Sequence, residues 1–596
     1  MQKYSVNQQL IETILSWVRS GEISIPEIQR PFVWSSTKVR DLIDSIYKGY
    51  PVGYIIAWRN PNVRLKDGTV SSGKKILIDG QQRVTALTAA LLGNEIIDED
   101  YEKTKIKIAF NPIEERFEVL NPAIKKDSSW IHDISPLVSG EERISKLIKS
   151  FCEINPSANS EKIEDSLEKL KQITKKQIGL IELDSDLDIE VVTEIFIRIN
   201  SKGVVLSQAD FAMSKIASNE AMDGYLIRKC IDYFCHLCRK PEFLKHIEEV
   251  DKEFIESEFY NKIKWISKAN DDLYIPDYSD VMRVAFISEF ERGKLSDLVS
   301  LLSGRNFETR KFEARIVEES FQKLKAGIIN FSNETNYERF LMIIKSAGFI
   351  DQCLLSSQNV LNFGYVVYLS LRKQNFNAGK IESHVRRWMV FSWLTSRYSG
   401  SPESTFDFDI KRIYELGITE YLSNLEAAEL SEGFWSVGLI QQLDTSNINS
   451  PSFNVFLASQ CKDQNLGFLS KDISVRELLM HEGQIHHIFP KDYLKKNGFD
   501  KNKYNHIANY VYMQSEINIK VGNKAPIQYM KEILTQCKTK ELKYGSIENE
   551  SELEKNLLEN CIPELIYNSD HSKYNEFIKE RISLMAKKIK DFYYKL

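Results

Sequence analysis

The sequence of 596 residues predicts an α+β protein built from several domains. The chain is too long for one hydrophobic core. Helix and strand patterns alternate up to about residue 215, and apolar residues then recur at helical spacing to about residue 440. We therefore predict a mixed α/β domain at 1–215, a helical domain at 216–440, and an α/β domain with a helical tail at 441–596.

Composition and charge exclude several classes of protein. With 42% hydrophobic residues, 27% charged residues and a net charge of −5, the chain is not a uniformly basic nucleic-acid coat, although a local basic cleft is compatible with these values. The first residues lack the apolar stretch of a signal peptide, and no long uncharged apolar run predicts a membrane span. The eight scattered cysteines are typical of reduced thiols, so we expect a cytoplasmic protein without a membrane partner.

The elements of the first domain follow from local patterns. Ser5 and Gln8 form a capping-box pattern that predicts a helix through residues 6–18, and a second helix is predicted over 39–46, ending at Gly49. A further helix is predicted over 83–92. Runs of apolar and β-branched residues predict strands at 54–58, 75–78, 106–110, 117–120 and 179–183.

A buried strand runs into a tight turn and a helix between residues 76 and 85. Gly80 supplies the backbone freedom for the turn, the first N–H groups of the helix can bind an anion, and Arg83 can hold a phosphate with two hydrogen bonds. The alternative is a structural corner in which Asp79 caps the helix and Arg83 forms a surface ion pair. The candidate phosphate-binding residues are Asp79, Gly80, Gln81, Gln82, Arg83 and Thr85.

Two other segments of the first domain carry candidate binding residues. Gln29 and Arg30 lie in a proline-flanked extended arm with Trp34, and such an arm can grip a nucleotide or a flipped base, or pack onto its own domain. Asn200 and Gly203 mark a turn after an amphipathic helix. Taken alone, each of these patterns is more often structural than functional.

The adjacent histidines His486 and His487 are the strongest chemical signal in the chain. They end an apolar strand, so their side chains point in opposite directions. His486 can hold a divalent metal while His487 accepts a proton from water, Asn509 orients the base, and Asn518 is a second ligand. A site with few protein ligands favours Mg²⁺ or Mn²⁺. The alternative is a pair of partly buried structural histidines.

The surroundings of the two histidines are basic. Lysines far outnumber acidic residues between 491 and 531, which fits contact with phosphates. Lys491, Lys520 and Lys524 are the candidate DNA contacts. His481 and His506 are interpreted as incidental.

Together these motifs resemble the GmrSD-type family of modification-dependent restriction proteins, which includes BrxU-like and SspE-like members. Gln29-Arg30-Pro31-Phe32-x-Trp34 and Asp79-Gly80-Gln81-Gln82-Arg83 resemble the family's ParB/sulfiredoxin-like N-terminal domain, and Phe196 to Leu206 resembles the later part of that domain. Arg397 to Ser404 resembles the helical middle of the family. His486-His487-Ile488-x-Pro490, with Asn509 and Asn518, resembles its C-terminal HNH (His-Me finger, or ββα-metal) nuclease domain.

The resemblance implies more than the residues themselves show. A nucleoside triphosphate (GTP favoured, ATP or CTP possible) would be bound and hydrolysed at the 79–83 turn, with Gln29, Arg30 and Asn200 contributing. A homodimer would cut double-stranded phage DNA that carries methylated, hydroxymethylated or glucosylated cytosine, as a type IV restriction enzyme of antiphage defence. Many relatives have an acidic residue at the position of His486, which leaves the preferred metal open.

Three alternative functions share these motifs. The first is an SspE-like nicking nuclease that senses phosphorothioate DNA and has NTPase activity. The second is a nucleotide-dependent DNA-binding regulator whose nuclease domain is inactive, and the third is a toxin that cuts RNA.

Overall fold

The computed structural model contains two compact units, Met1–Ser257 and Glu258–Leu596. The α+β class is confirmed, because the described part of the chain is rich in helix and includes a small mixed sheet. The division into three domains, with boundaries at 215 and 440, stays a prediction. The structure describes residues 3–24, 32, 34–59, 75–97, 103–184, 187, 191–192, 195, 208–269, 271–481 and 485–596.

The first unit is organised around a five-stranded sheet in the order β1-β9-β3-β4-β2. The pairings of β1 with β9 and of β3 with β4 are antiparallel, and those of β9 with β3 and of β4 with β2 are parallel. Two-stranded ladders β5–β6 and β7–β8 lie outside this sheet. The strands are β1 (Tyr4–Leu10), β2 (Ile23–Ser24), β3 (Tyr54–Arg59), β4 (Lys75–Asp79), β5 (Ile96–Ile97), β6 (Lys103–Thr104), β7 (Ile108–Asn111), β8 (Arg116–Val119) and β9 (Gln177–Leu183).

Helices of the first unit bury their apolar faces in one core with the sheet. Ile14, Ile43 and Leu87 come from three different helices and share this core with Ile55 and Leu180 of the sheet. Burying such side chains is the main force that holds helix and sheet together. The helices are α1 (Ile11–Arg19), α2 (Ser36–Tyr47), α3 (Gln81–Leu92), α4 (Ser135–Ser139), α5 (Ile144–Ile154), α6 (Ser160–Lys171), α7 (Gln208–Ser218), α8 (Gly224–Arg239), α9 (Leu244–Val250) and α10 (Lys252–Glu256).

The predicted helix over residues 6–18 is wrong in its first half. Residues Tyr4–Leu10 form β1, and the helix begins only at Ile11. The predicted capping box is replaced by strand pairing, in which Tyr4 lies opposite Leu183 and Leu10 opposite Gln177. The backbone hydrogen bonds of a ladder formed with a distant segment outweigh a weak local helix signal.

The other predicted elements of this unit are confirmed with small shifts at their ends. Strands form at four predicted positions, 54–58, 75–78, 117–120 and 179–183. The strand predicted at 106–110 begins at Ile108. The predicted helices at 39–46 and 83–92 lie within α2 and α3. Short strands and helices bounded by glycine are well specified by local sequence, which explains this agreement.

The second unit is mostly helical and carries one short hairpin, β10 (Ile485–His487) and β11 (Tyr510–Tyr512). No helix in the described part of the chain is both long and apolar enough to cross a membrane. The helices are α11 (Glu258–Ile263), α12 (Tyr278–Phe290), α13 (Leu295–Leu302), α14 (Ala314–Phe331), α15 (Glu334–Ser346), α16 (Gln358–Lys373), α17 (Ala378–Leu394), α18 (Pro402–Leu416), α19 (Ile418–Glu429), α20 (Leu439–Leu443), α21 (Pro451–Lys462), α22 (Val475–Met480), α23 (Lys491–Lys496), α24 (Lys501–Tyr504), α25 (Ser515–Val521), α26 (Pro526–Thr539), α27 (Glu550–Glu559) and α28 (Tyr574–Tyr594).

Candidate functional site

The two adjacent histidines lie on β10 of the hairpin. His486 pairs with Val511 and His487 with Tyr510 across the antiparallel ladder. The short helices α23 and α24 fill the connection between the two strands, and α25 follows β11. Because side chains alternate along a strand, the two imidazoles point to opposite faces of the hairpin.

The His487 ring is half-buried and contacts two neighbours. Its Nε2 lies 3.1 Å from Asn505 Oδ1, and its ring meets the edge of Tyr510 with the centroids 5.0 Å apart. Burial lowers the pKa of His487, the charge of Lys491 lowers it further, and the contact with Asn505 opposes the shift. A neutral imidazole at physiological pH can accept a proton, as a general base must.

His486 is buried, with 7% of its surface exposed. Its Nε2 is buried and has no hydrogen-bond partner among the described residues. Burial, followed by the charge of His487, lowers the pKa of His486, so the ring is held in the neutral form that coordinates metals. A buried nitrogen without a partner is destabilising unless something binds it, so the ring fits a divalent cation.

The rest of the predicted metal site depends on Asn518. This residue lies on α25 and is half-buried. Within the described ranges, no group of three or more histidine, cysteine or acidic side chains is placed to hold a metal ion. A cation held by His486 and Asn518 would therefore keep several waters, in the manner of Mg²⁺. The ligand role of Asn518 stays a prediction.

Asn509 forms its hydrogen bonds with backbone groups and not with His487, and its predicted role in orienting the base stays a prediction. It lies in the turn Ile507–Asn509 just before β11, and it is fully buried. Its Oδ1 accepts from the Phe489 N–H at 2.9 Å, and its Nδ2 donates to the carbonyls of Phe489 at 3.1 Å and Tyr504 at 2.9 Å. Buried backbone groups in an irregular connection need such partners, so the Asn509 amide is drawn to them.

Two residues at the hairpin were missed by the sequence reasoning. Asn505 touches His487 from 18 residues away, a spacing that carries no periodic signal. Arg581 of α28 is fully buried and donates to the carbonyls of Ala508 at 2.8 Å and Tyr510 at 2.7 Å. Burial lowers the pKa of Arg581 to about 10, so it remains charged at neutral pH. Its hydrogen bonds tie the long C-terminal helix to the start of β11.

His506, interpreted from the sequence as incidental, is a structural part of this connection. Its Nδ1 accepts the N–H of Ala508 at 3.0 Å, and its Nε2 lies 3.0 Å from Asp444 Oδ1. Ile507 N–H also donates to the carbonyl of Thr445 at 2.9 Å. These bonds fix the turn before β11 to the segment that follows α20.

The three predicted DNA-contacting lysines differ in their surroundings. Lys491 and Lys520 are exposed, and neither forms an ion pair with any described residue. Lys524 Nζ lies 3.0 Å from Glu532 Oε2, and this carboxylate also pairs with Lys543. Hydrogen bonds from Lys543, Tyr544 and Lys524 lower the pKa of Glu532 to about 2. The charge of Lys524 is therefore largely engaged inside the protein.

The turn in the first unit joins β4 to α3. Gly80 is the N-cap of α3 and has φ +90, and a Cβ built on it would lie 3.1 Å from Ile55 Cγ1 and 3.2 Å from Ile55 Cα. Only glycine combines this backbone conformation with such a close approach. Because Gly80 occupies the N-cap position, the alternative in which Asp79 caps the helix is wrong. As a glycine, Gly80 has no side chain that could cap the helix.

Arg83 is held by groups on both sides of the turn. It donates to the carbonyl of Tyr54, and its Nη2 lies 3.4 Å from Asp79 Oδ2. Gln81 is buried, whereas Gln82 and Thr85 are half-buried. The other predicted nucleotide-binding residues, Gln29, Arg30 and Asn200, lie outside the described residues.

Comparison with known proteins connects the part of the chain that carries this turn to a protein family. Residues 11–217 match the family described as "GmrSD restriction endonuclease, N-terminal domain". The chain is also similar to an uncharacterized protein of Methanocaldococcus jannaschii, with 21% identity in an alignment that covers 96% of both chains.

Proposed function

We propose that the chain is a metal-dependent DNA endonuclease of the GmrSD-type restriction family, regulated by a nucleoside triphosphate. Residues 11–217 match the N-terminal domain of that family. The hairpin of the second unit carries this proposal, because it presents a half-buried neutral imidazole, His487, beside a buried ring, His486, whose Nε2 lacks a partner among the described residues. The order of two antiparallel strands followed by α25 supports an HNH (ββα-metal) domain.

The chemistry divides between the two rings and their neighbours. His486 and Asn518 would hold Mg²⁺ or Mn²⁺, which supplies stabilisation of negative charge on the phosphate that is attacked. His487 accepts the proton of the attacking water. Lys491 and Lys520 hold the DNA backbone, since their ammonium groups are exposed and unpaired within the described part of the chain. Lys524 contributes less, because Glu532 already engages it.

The turn of the first unit is the proposed triphosphate site, with GTP favoured and ATP or CTP possible. Gly80 lets phosphate approach the backbone, and the N-terminal end of α3 would attract the anion. Arg83, Gln82 and Thr85 would add side-chain contacts, together with Gln29, Arg30 and Asn200. The guanidinium of Arg83 is oriented by Tyr54 and Asp79 before any ligand binds, which reduces the entropy lost on binding.

The proposed substrate is double-stranded phage DNA with methylated, hydroxymethylated or glucosylated cytosine, cut by a homodimer in a type IV restriction system. The test is digestion of matched plain, methylated, hydroxymethylated, glucosylated and phosphorothioate DNA with Mg²⁺ or Mn²⁺, each with and without GTP. We expect cleavage of cytosine-modified DNA that depends on the metal and responds to GTP. Nicking confined to phosphorothioate DNA would instead support the SspE-like alternative.

Substitution of the proposed base separates the nuclease from a DNA-binding regulator. We expect His487→Ala to abolish cleavage while DNA binding and nucleotide turnover persist, because the ring only moves a proton. His481→Ala is the matched control, since His481 is exposed and lies outside the hairpin. If the wild-type chain binds DNA but cuts neither DNA nor RNA, the regulator replaces the nuclease. Cleavage of RNA alone would identify the toxin.

A further inference from the structure

We infer that Asn505 is a positioning residue that selects the Nε2–H tautomer of His487 and thereby leaves Nδ1 as the proton-accepting nitrogen. The inference deepens the proposed nuclease function, and its catalytic meaning rests on that function. The selection of the tautomer, however, is a property of the folded chain and can be measured without DNA or metal.

The contact itself carries the argument. Asn505 Oδ1 lies 3.1 Å from His487 Nε2, and an amide oxygen only accepts hydrogen bonds. A neutral imidazole carries one proton, so a ring that donates from Nε2 has its lone pair on Nδ1. The tautomer with the proton on Nδ1 would place two lone pairs against each other at the half-buried Nε2.

The backbone around Asn505 is held from several sides. Asn505 follows α24 directly, and its N–H donates to the carbonyl of Lys501 at 3.1 Å. The buried amide of Asn509 donates to the carbonyl of Tyr504 at 2.9 Å, and the hydroxyl of Tyr574 donates to the carbonyl of Lys503 at 2.6 Å. The two backbone carbonyls before Asn505 are therefore fixed by buried or half-buried side chains.

This arrangement gives Asn509 a role through Asn505. Asn509 joins Phe489, two residues beyond the end of β10, to Tyr504 at the end of α24. His487 lies two residues before Phe489, and Asn505 lies directly after Tyr504. The Asn509 amide therefore fixes the distance between the imidazole and the amide that orients it.

Nitrogen NMR on the full chain labelled with ¹⁵N-histidine tests the tautomer directly. Among the nine histidines of the chain, two serve as internal references for the two tautomers. His384 Nδ1 lies 2.6 Å from the carbonyl of Lys380 and must carry the proton there, whereas His506 Nδ1 accepts from Ala508 N–H and must carry its proton on Nε2. A His487→Gln variant assigns the His487 signals. We expect the ¹⁵N chemical shifts of the two His487 ring nitrogens to match those of His506 at neutral pH.

Three variants connect the tautomer to catalysis. Asn505→Leu removes the acceptor, so we expect a mixture of tautomers and a fall in kcat of about 10–100-fold with KM little changed. Asn505→Asp keeps an acceptor at the same place and should restore the Nε2–H form and most of the activity. Asn502→Leu is the control, because Asn502 is an exposed asparagine on α24, the short helix that precedes Asn505.

The outcomes separate this inference from the nuclease proposal. A wild-type His487 with its proton on Nδ1, or an Asn505→Leu chain that retains the Nε2–H form, overturns the role of Asn505. A chain that shows the Nε2–H form, loses it in Asn505→Leu and yet cuts no nucleic acid supports selection by Asn505 while removing the nuclease function.

Discussion

Replacing Asn509 by alanine should destabilise the second unit more than any exposed substitution near the hairpin. The side chain is fully buried and makes three hydrogen bonds, one with the N–H of Phe489 and two with the carbonyls of Phe489 and Tyr504. Asn509→Ala leaves these three backbone groups without that partner, in a place where water enters poorly.

The size of the loss follows from the number of bonds. A typical hydrogen bond contributes about 1 kcal/mol net, and a buried group left without a partner costs about 1–3 kcal/mol. Three bonds give a loss of at least about 3 kcal/mol, a large part of the roughly 5–15 kcal/mol of a domain. Asn509→Asp should be at least as destabilising at neutral pH, because it loses both donors and brings a buried carboxylate against two carbonyl oxygens.

Urea denaturation of the full chain, followed by hydrogen exchange of the amides in the second unit, measures this loss. We expect protection of the Phe489 amide to fall in both variants, with Asn502→Ala as an exposed control of the same residue type. An Asn509→Asp chain as stable as the wild type would refute the assignment of Nδ2 as the donor to both carbonyls.

Three further outcomes concern the first unit. Arg83→Ala should weaken binding of the triphosphate by about 1.5–3 kcal/mol, the range for hydrogen bonds to charged groups, and titration calorimetry that shows unchanged affinity would remove Arg83 from the site. Gly80→Ala should destabilise the unit by about 1–2 kcal/mol in thermal denaturation, because φ is +90 and the new Cβ would crowd Ile55; a stabilised variant would contradict this. Burial, followed by the charges of Lys240 and Arg239, lowers the pKa of His236 to about 4 from its ordinary 6.5. As the pH falls, His236 therefore takes up a proton at a higher pH in the unfolded chain than in the folded chain. The free energy of unfolding has its full value above pH 6.5 and falls by up to about 3 kcal/mol as the pH drops toward 4. His236→Phe should flatten that fall in denaturation curves recorded across this pH range, and an unchanged slope would exclude His236 as its source.

Local patterns in the sequence were sufficient for several parts of the candidate sites. The turn at Gly80, the helix that follows it, and the strands β3, β4 and β9 depend on neighbouring residues, so they could be predicted. The opposite directions of His486 and His487 follow from the alternation of side chains along a strand. The resemblance to the GmrSD family also rested on motifs that can be read directly from the sequence, and the family match confirms it for the N-terminal domain.

Tertiary structure decided what depends on distant partners. Residues Tyr4–Leu10 became a strand because β9 lies beside them, more than 160 residues later in the chain. Asn505 reaches His487, Asn509 reaches backbone carbonyls, and Glu532 engages Lys524. Local sequence carries propensity and periodicity, but a hydrogen bond or an ion pair forms only where folding places donor and acceptor within about 3 Å, so these assignments came from the structure alone.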